Sequence, residues 1–203
     1  MGADQGLVAY FGYGSLVNRA TLRTAIVDLI PARLSGWRRG WRPRPDMPGF
    51  PAALLTVRPQ PGAGCDGVLI VDKAENLPAV DAREARYRRV ALDPATLELR
   101  GAAPDCPVWV YAAEEDLPPH REPPAILQSY LDAVLQGFHA VHGAEGLARF
   151  FAETDGFDTP LHADRERPVY PRHVRLTPGE RALFDRHLAQ HVASAFRSPP
   201  SAG

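Results

Sequence analysis

The sequence predicts one α+β domain: a mostly antiparallel β-sheet or barrel with helices appended mainly toward the C-terminal end. Three observations point there. The 203-residue chain carries 21 prolines, roughly twice the usual share, which favours loops and short elements over a helical bundle whose interior excludes proline. Up to about residue 112, short apolar runs alternate with Gly, Pro and Asp turns, as in a sheet. Beyond residue 124 the apolar residues adopt helical spacing instead.

Leu7-Val8-Ala9-Tyr10-Phe11 reads as a buried strand that stops at the glycine turn Gly12-Tyr13-Gly14-Ser15. A helix is expected next, capped by Ser15 or Asn18, with Leu16, Ala20, Leu22 and Ile26 on its apolar face and Pro31 ending the pattern. Ala32 to Trp37 and Ala52 to Val57 read as strands separated by a loop over Pro43 to Gly49, and Gly67-Val68-Leu69-Ile70-Val71 is an aliphatic strand buried on both faces. A short helix follows, with Asn76 as N-cap and Pro78 in its first turn. Leu77, Val80, Asp81 and Glu84 share one face of it. Arg88 to Leu92, Glu98 to Arg100 and Val108 to Ala112 are further strands. Pro124 to Gly143 predicts an amphipathic helix ending at the glycine. Thr177-Pro178-Gly179-Glu180 is a capping box that opens a last helix with Leu183, Phe184, Leu188, Val192 and Phe196 on one side. No repeat or linker divides the chain, so residues 1–197 are expected to form a single domain and 198–203 a disordered tail.

Composition removes several functional classes. With 23 Lys and Arg against 24 Asp and Glu, the net charge is −1. The chain therefore lacks the positive field of a nucleic-acid binder. No apolar stretch is long enough to span a membrane, and Met1-Gly2-Ala3-Asp4-Gln5 lacks the order of a signal peptide, so a soluble, cytoplasmic protein is expected. Cys65 and Cys106 are expected to be free thiols.

Few residues stand out for chemistry. The glycine turn fails the dinucleotide pattern because Val17 takes the third glycine position, and Ser15 lacks the glycines of a nucleophile elbow. What remains is a strand, a turn and a following helical start that aim backbone N–H groups from about Tyr13 to Leu16 at one point. Such a nest binds a carboxylate; the alternative is a tight turn without a ligand. His187 and His191, four apart, lack a glutamate or a third ligand and read as surface histidines, so no metal is expected. Trp37, Trp41 and Trp109 read as core or rim residues. Glu84 differs, because its helix places a carboxylate on the face that packs inward, where burial favours a proton shuttle working near neutral pH. The alternative is an ion pair with Arg83, Arg86, Arg88 or Arg89 that merely holds the helix to the sheet.

The order Tyr10-Phe11-Gly12-Tyr13-Gly14-Ser15-Leu16, Gly67-Val68-Leu69-Ile70-Val71, then Val80-Asp81-Ala82-Arg83-Glu84-Ala85-Arg86-Tyr87 followed by the basic strand, resembles the γ-glutamylcyclotransferase-like superfamily. The match runs from about Leu7 to Ala112, with thinner echoes at Tyr130-Leu131 and Val169-Tyr170-Pro171-Arg172. The resemblance implies a small barrel-like α+β fold and release of 5-oxoproline and an amine from a small γ-glutamyl substrate. It implies that backbone N–H groups of Tyr13, Gly14, Ser15 and Leu16 hold the α-carboxylate, that Glu84 is the acid and base, and that no cofactor takes part. Tyr87 would donate to the developing oxyanion or to the carboxylate. Val80 and Ala85 depart from a usual leucine and glycine, and Val17-Asn18 stand where the glutathione-specific ChaC-type members have Ile-Trp, which weighs against glutathione itself. Three readings stay open: a cyclotransferase for γ-glutamyl amino acids or amines, a glutathione-degrading enzyme, and a non-catalytic module that binds a carboxylate metabolite.

Overall fold

The computed structural model describes residues 6–44, 51–85, 87–113, 124–192 and 196–197. In chain order it places β1 (Leu7–Gly12), β2 (Asp28–Arg44), β3 (Ala52–Lys73), α1 (Leu77–Arg83), β4 (Tyr87–Ala91), β5 (Leu97–Leu99) and β6 (Val108–Ala113). There follow β7 (Ala125–Leu127), α2 (Gln128–Ala152), β8 (Thr154–Asp155), β9 (Leu161–His162), α3 (Pro178–His191) and β10 (Phe196–Arg197). The expected tail at 198–203 lies outside the described residues, as do residues 45–50 of the expected loop.

All ten strands join one sheet in the order β10-β9-β7-β3-β1-β6-β4, with β2 on β3 and with β5 and β8 on β2. The long ladders, β2 with β3 and β1 with β3, are antiparallel, whereas the parallel ones are short. The fold is therefore mixed α+β as expected. Among the described residues no ladder joins β10 to β4, so the sheet runs open where a barrel was predicted.

The β2–β3 hairpin organises the molecule. Its register jumps from Ser35↔Gly64 to Trp37↔Pro59, so residues 60–63 bulge out opposite Gly36. Gly36 and Gly62 have φ of 79° and 78°, left-handed values that side chains resist and glycine permits. The bulge divides the hairpin into two halves. One half pairs with β1 and β5, the other with β7 and β8. The two predicted strands 52–57 and 67–71 are thus ends of one strand, and Pro43 and Arg44 continue β2.

The helix predicted after the glycine turn is absent. Two single 3-10 turns, Ser15–Val17 and Arg19–Thr21, stand there, separated by Asn18 in extended conformation (φ −89°, ψ 111°). The cause is tertiary. Asn18 is buried; its amide donates to the Ala133 carbonyl (2.9 Å) and to Gln136 Oε1 (3.0 Å) while its Oδ1 caps Ala20 N–H (3.0 Å). A Cβ on Gly137 would lie 2.6 Å from Asn18 N, so this glycine lets α2 reach the turn.

Helix α2 buries Leu131, Val134, Leu135 and Phe138 against the sheet and turn, the apolar face its spacing predicts. It begins at Gln128, because residues 125–127 form β7, and its first run ends at Gly143 as predicted, where φ 68° and ψ −164° break the helix before a second run continues to Ala152. α3 opens with the predicted capping box but stops at His191, so Phe196 belongs to β10 and not to the helix. His187 and His191 stack on Phe151 of α2 at 5.3 and 4.7 Å. Among the described residues no group of three His, Cys, Asp or Glu side chains is placed to hold a metal ion. No helix there is long and apolar enough to cross a membrane. Both cysteines are free, and burial pushes the Cys65 thiol up to about 11.

Candidate active site

A cleft enclosing about 530 Å³ of empty space, solvent at its mouth included, opens where β1 ends. Tyr13, Gly14, Ser15 and Leu16 form one wall, and Glu84 and Tyr87 stand in the same lining, so all six residues singled out in the sequence share one cleft.

The turn is held from behind. Arg39 of β2 is fully buried and donates to the carbonyls of Tyr13 (3.2 Å), Asp66 (2.9 Å) and Phe150 (3.4 Å) and to Thr154 Oγ1 (2.7 Å). Its guanidinium lies between the rings of Phe138 and Phe150, 4.8 and 4.4 Å from their centroids. Tyr13 Oη donates to the Tyr111 carbonyl (2.5 Å). Val17 and Asn18 N–H bond back to the carbonyls of Gly14 and Ser15 (3.0 and 3.1 Å). Among the described residues the N–H groups of Gly14, Ser15 and Leu16 meet no main-chain acceptor. An anion in the cleft can take them.

Glu84 is the C-cap of α1, one residue beyond the helix, with its N–H on the Val80 carbonyl (2.9 Å). The carbonyl of Glu84 accepts from Tyr87 N–H (2.9 Å), closing the turn into β4. Asp81 anchors the helix by accepting from Tyr111 Oη (2.6 Å) and pairing with Arg89 (3.1 Å). The Glu84 side chain is 18 % exposed and its Oε1 lies 3.1 Å from Arg83 Nε. The ion pair weighed in the sequence is therefore present, yet Arg83 does more than hold the helix. Its Nη2 reaches Ser15 Oγ (3.3 Å) and Thr21 Oγ1 (3.2 Å), and its Nη1 the Thr21 carbonyl (2.9 Å). One guanidinium thus ties the carboxylate to the turn.

Tyr87 differs from its expected role. Its hydroxyl donates to the Leu55 carbonyl of β3 (2.7 Å). Tyr130 of α2 also lines the cleft. Its oxygen would lie 2.9 Å from a Cβ on Gly14. Burial, followed by the fields of Tyr87, Tyr170 and Glu84, holds its hydroxyl well above the usual tyrosine range, so it stays protonated. Burial does the same for Tyr13.

Sequence reasoning missed Tyr130, Tyr170 and Arg172 as lining residues. Tyr130 sits at helical spacing among Ile126, Val134 and Phe138 and reads as core. Tyr170 and Arg172 lie in a loop whose course is set by Asp164, which accepts from Ser129 N–H (2.8 Å) and Val169 N–H (2.8 Å). Tyr170 Oη donates to Ser15 Oγ (2.9 Å). The signals in the sequence were the Tyr130-Leu131 and Val169-Tyr170-Pro171-Arg172 segments.

No protein-family model matches the chain, and no curated protein matches it in sequence. Solved structures do match. A structure described as γ-glutamyl cyclotransferase superposes over 89 % of this chain and 99 % of that one, with a TM-score of 0.54 and 15 % identity. YkqA from Bacillus subtilis superposes over 70 % of this chain, TM-score 0.50 and 21 % identity, and the matched part spans 52 % of that longer protein. The chain therefore has the γ-glutamylcyclotransferase-like fold.

A pair of variants tests the turn. Gly14 has φ −124°, so no left-handed strain is at stake; a side chain there would instead strike Tyr130 Oη. Gly14→Val is expected to raise the Kd of γ-glutamylglycine far more than Ser15→Ala. The latter removes the acceptor of the Arg83 and Tyr170 hydrogen bonds, each worth on the order of 1 kcal/mol, but leaves the N–H groups of the turn in place. Calorimetry on variants shown to be folded by circular dichroism decides it. Equal, full-strength binding by both would place the carboxylate elsewhere.

Proposed function

We propose that this cleft cyclises the γ-glutamyl group of a small γ-glutamyl compound to 5-oxoproline and releases an amine. The observation that carries the reading is the Arg83 bridge, Nε to Glu84 and Nη2 to Ser15 Oγ, which fixes an acid–base carboxylate beside an anion-binding turn.

The α-carboxylate sits on the N–H groups of Gly14, Ser15 and Leu16. Glu84 takes a proton from the α-amine, whose lone pair attacks the γ-carbonyl carbon; the new C–N bond closes a five-membered ring. The C–N bond to the leaving amine then breaks, and Glu84 returns the proton to the departing nitrogen, which leaves poorly unless protonated. Water is neither added nor lost. Folding the substrate back on itself supplies much of the rate, since intramolecular attack of this kind reaches effective molarities of order 10⁵ M or more. Tyr130 Oη is the donor assigned to the developing oxyanion. None of these steps draws on a metal or organic cofactor.

The test is incubation of the purified protein with a small panel of γ-glutamyl amino acids, γ-glutamyl amines and glutathione, following 5-oxoproline. Formation from at least one member is expected. No 5-oxoproline from any, with tight binding retained, would make the cleft a binding module.

A further inference from the structure

A second groove, about 380 Å³ of empty space, abuts the cleft and shares Leu16, Arg83 and Arg172 with it. Arg23, Thr24 and Val80 form much of its other wall, and no acidic residue lines it. The carboxylate behind it, Asp72, is fully buried and engaged by Tyr10 Oη (3.1 Å), Asn76 Nδ2 (2.7 Å) and Lys73 N–H (2.8 Å). Arg83 is committed to Glu84 and Thr21. Arg23 and Arg172 differ, because among the described residues neither guanidinium has a hydrogen-bonding or ion-pair partner. Arg172 is half-buried in that state. A partly desolvated guanidinium without a counter-charge is costly unless a ligand supplies one, and its fork matches an oxyanion.

We propose that Arg23 and Arg172 form an anion subsite for the leaving half of the substrate, so that the enzyme prefers γ-glutamyl compounds whose leaving amine carries an oxyanion. The proposal rests on the cyclotransferase reading. With the glutamyl α-carboxylate on the turn, the groove begins at Leu16 where the turn ends, and because Arg172 lines both spaces a leaving amine that fills the cleft comes within its reach. The two arginines then read charge on the amine, whereas the turn reads the glutamyl group.

Matched substrates separate these roles. γ-Glutamylglycine and γ-glutamylglycinamide differ by one negative charge at nearly constant shape. Wild type should show a kcat/KM preference for the acid of roughly tenfold or more, the scale of a hydrogen bond to a charged group. Arg172→Gln should bring the ratio close to one, Arg23→Gln should lower it in part, and Arg172→Lys should keep part of it. Rising salt should narrow it. γ-Glutamyltaurine should share the preference, because charge and not carboxylate shape carries it. Equal wild-type turnover of acid and amide would overturn the subsite, as would a taurine compound treated like the amide. An Arg172→Gln variant that slows acid and amide alike would also overturn it, by moving Arg172 onto the glutamyl carboxylate. In those three outcomes 5-oxoproline still forms and the cyclotransferase reading stands. Its absence with every compound removes both.

Discussion

Glu84→Gln should fold normally and lose at least ~10²-fold in kcat, the usual scale of removing a positioned general acid–base. The amide can still accept from Arg83 Nε, 3.1 Å from Glu84 Oε1, so the bridge to Ser15 and Thr21 survives the change. It cannot take a proton from the α-amine or return one to the leaving nitrogen. Affinity for γ-glutamylglycine should stay within a few-fold, because the turn N–H groups are untouched. Steady-state turnover together with calorimetry separates the two effects. Near-normal kcat would remove Glu84 from the mechanism and leave it the structural partner of Arg83.

Arg39→Ala should cost at least ~3 kcal/mol of stability, read by urea denaturation, because several buried partners lose their donor at ~1–3 kcal/mol each. Arg39 is fully buried, and the carbonyls of Tyr13, Asp66 and Phe150 and the Thr154 hydroxyl all depend on it. The space between Phe138 and Phe150 would add a cavity cost. Burial already pushes the Arg39 pKa down, so the side chain is retained against a desolvation penalty. Because the Tyr13 carbonyl is one of its acceptors, the variant that remains folded in dilute denaturant-free buffer should also bind γ-glutamylglycine more weakly. Arg39→Lys should fall between, since one ammonium cannot reach all four acceptors. A loss under ~1 kcal/mol with unchanged binding would mean that the turn is held by Tyr13 Oη and Asn18 alone.

What the sequence made legible was the local part of this design. The aromatic strand ending at Gly12-Tyr13-Gly14-Ser15, the short helix before Glu84 and the capping box at Thr177 each carry their signal within a few residues. The rest depends on distant partners. The predicted strands end at Val57 and resume at Gly67, yet pairing with β2 on both sides carries one strand through, with residues 60–63 as a bulge. Leu16 to Ile26 has a helical pattern, but burial of Asn18 against α2 breaks it into 3-10 turns. Arg39 looks like one more cation in a basic strand, and Tyr130 like one more core residue in a helix; only packing reveals the first as a brace and the second as part of the cleft wall. Arg172 comes from a loop more than a hundred residues after the turn it faces, ordered by Asp164.

The most direct measurement is the product of a reaction that blocks or allows the α-amine. γ-Glutamylglycine should yield 5-oxoproline and glycine in equal amounts by mass spectrometry, with no glutamate, while its N-acetyl derivative should release no glycine, because the blocked nitrogen cannot attack. Release of glycine from both, with glutamate or N-acetylglutamate as the other product, would show that water is the nucleophile and that the cleft is a hydrolase site.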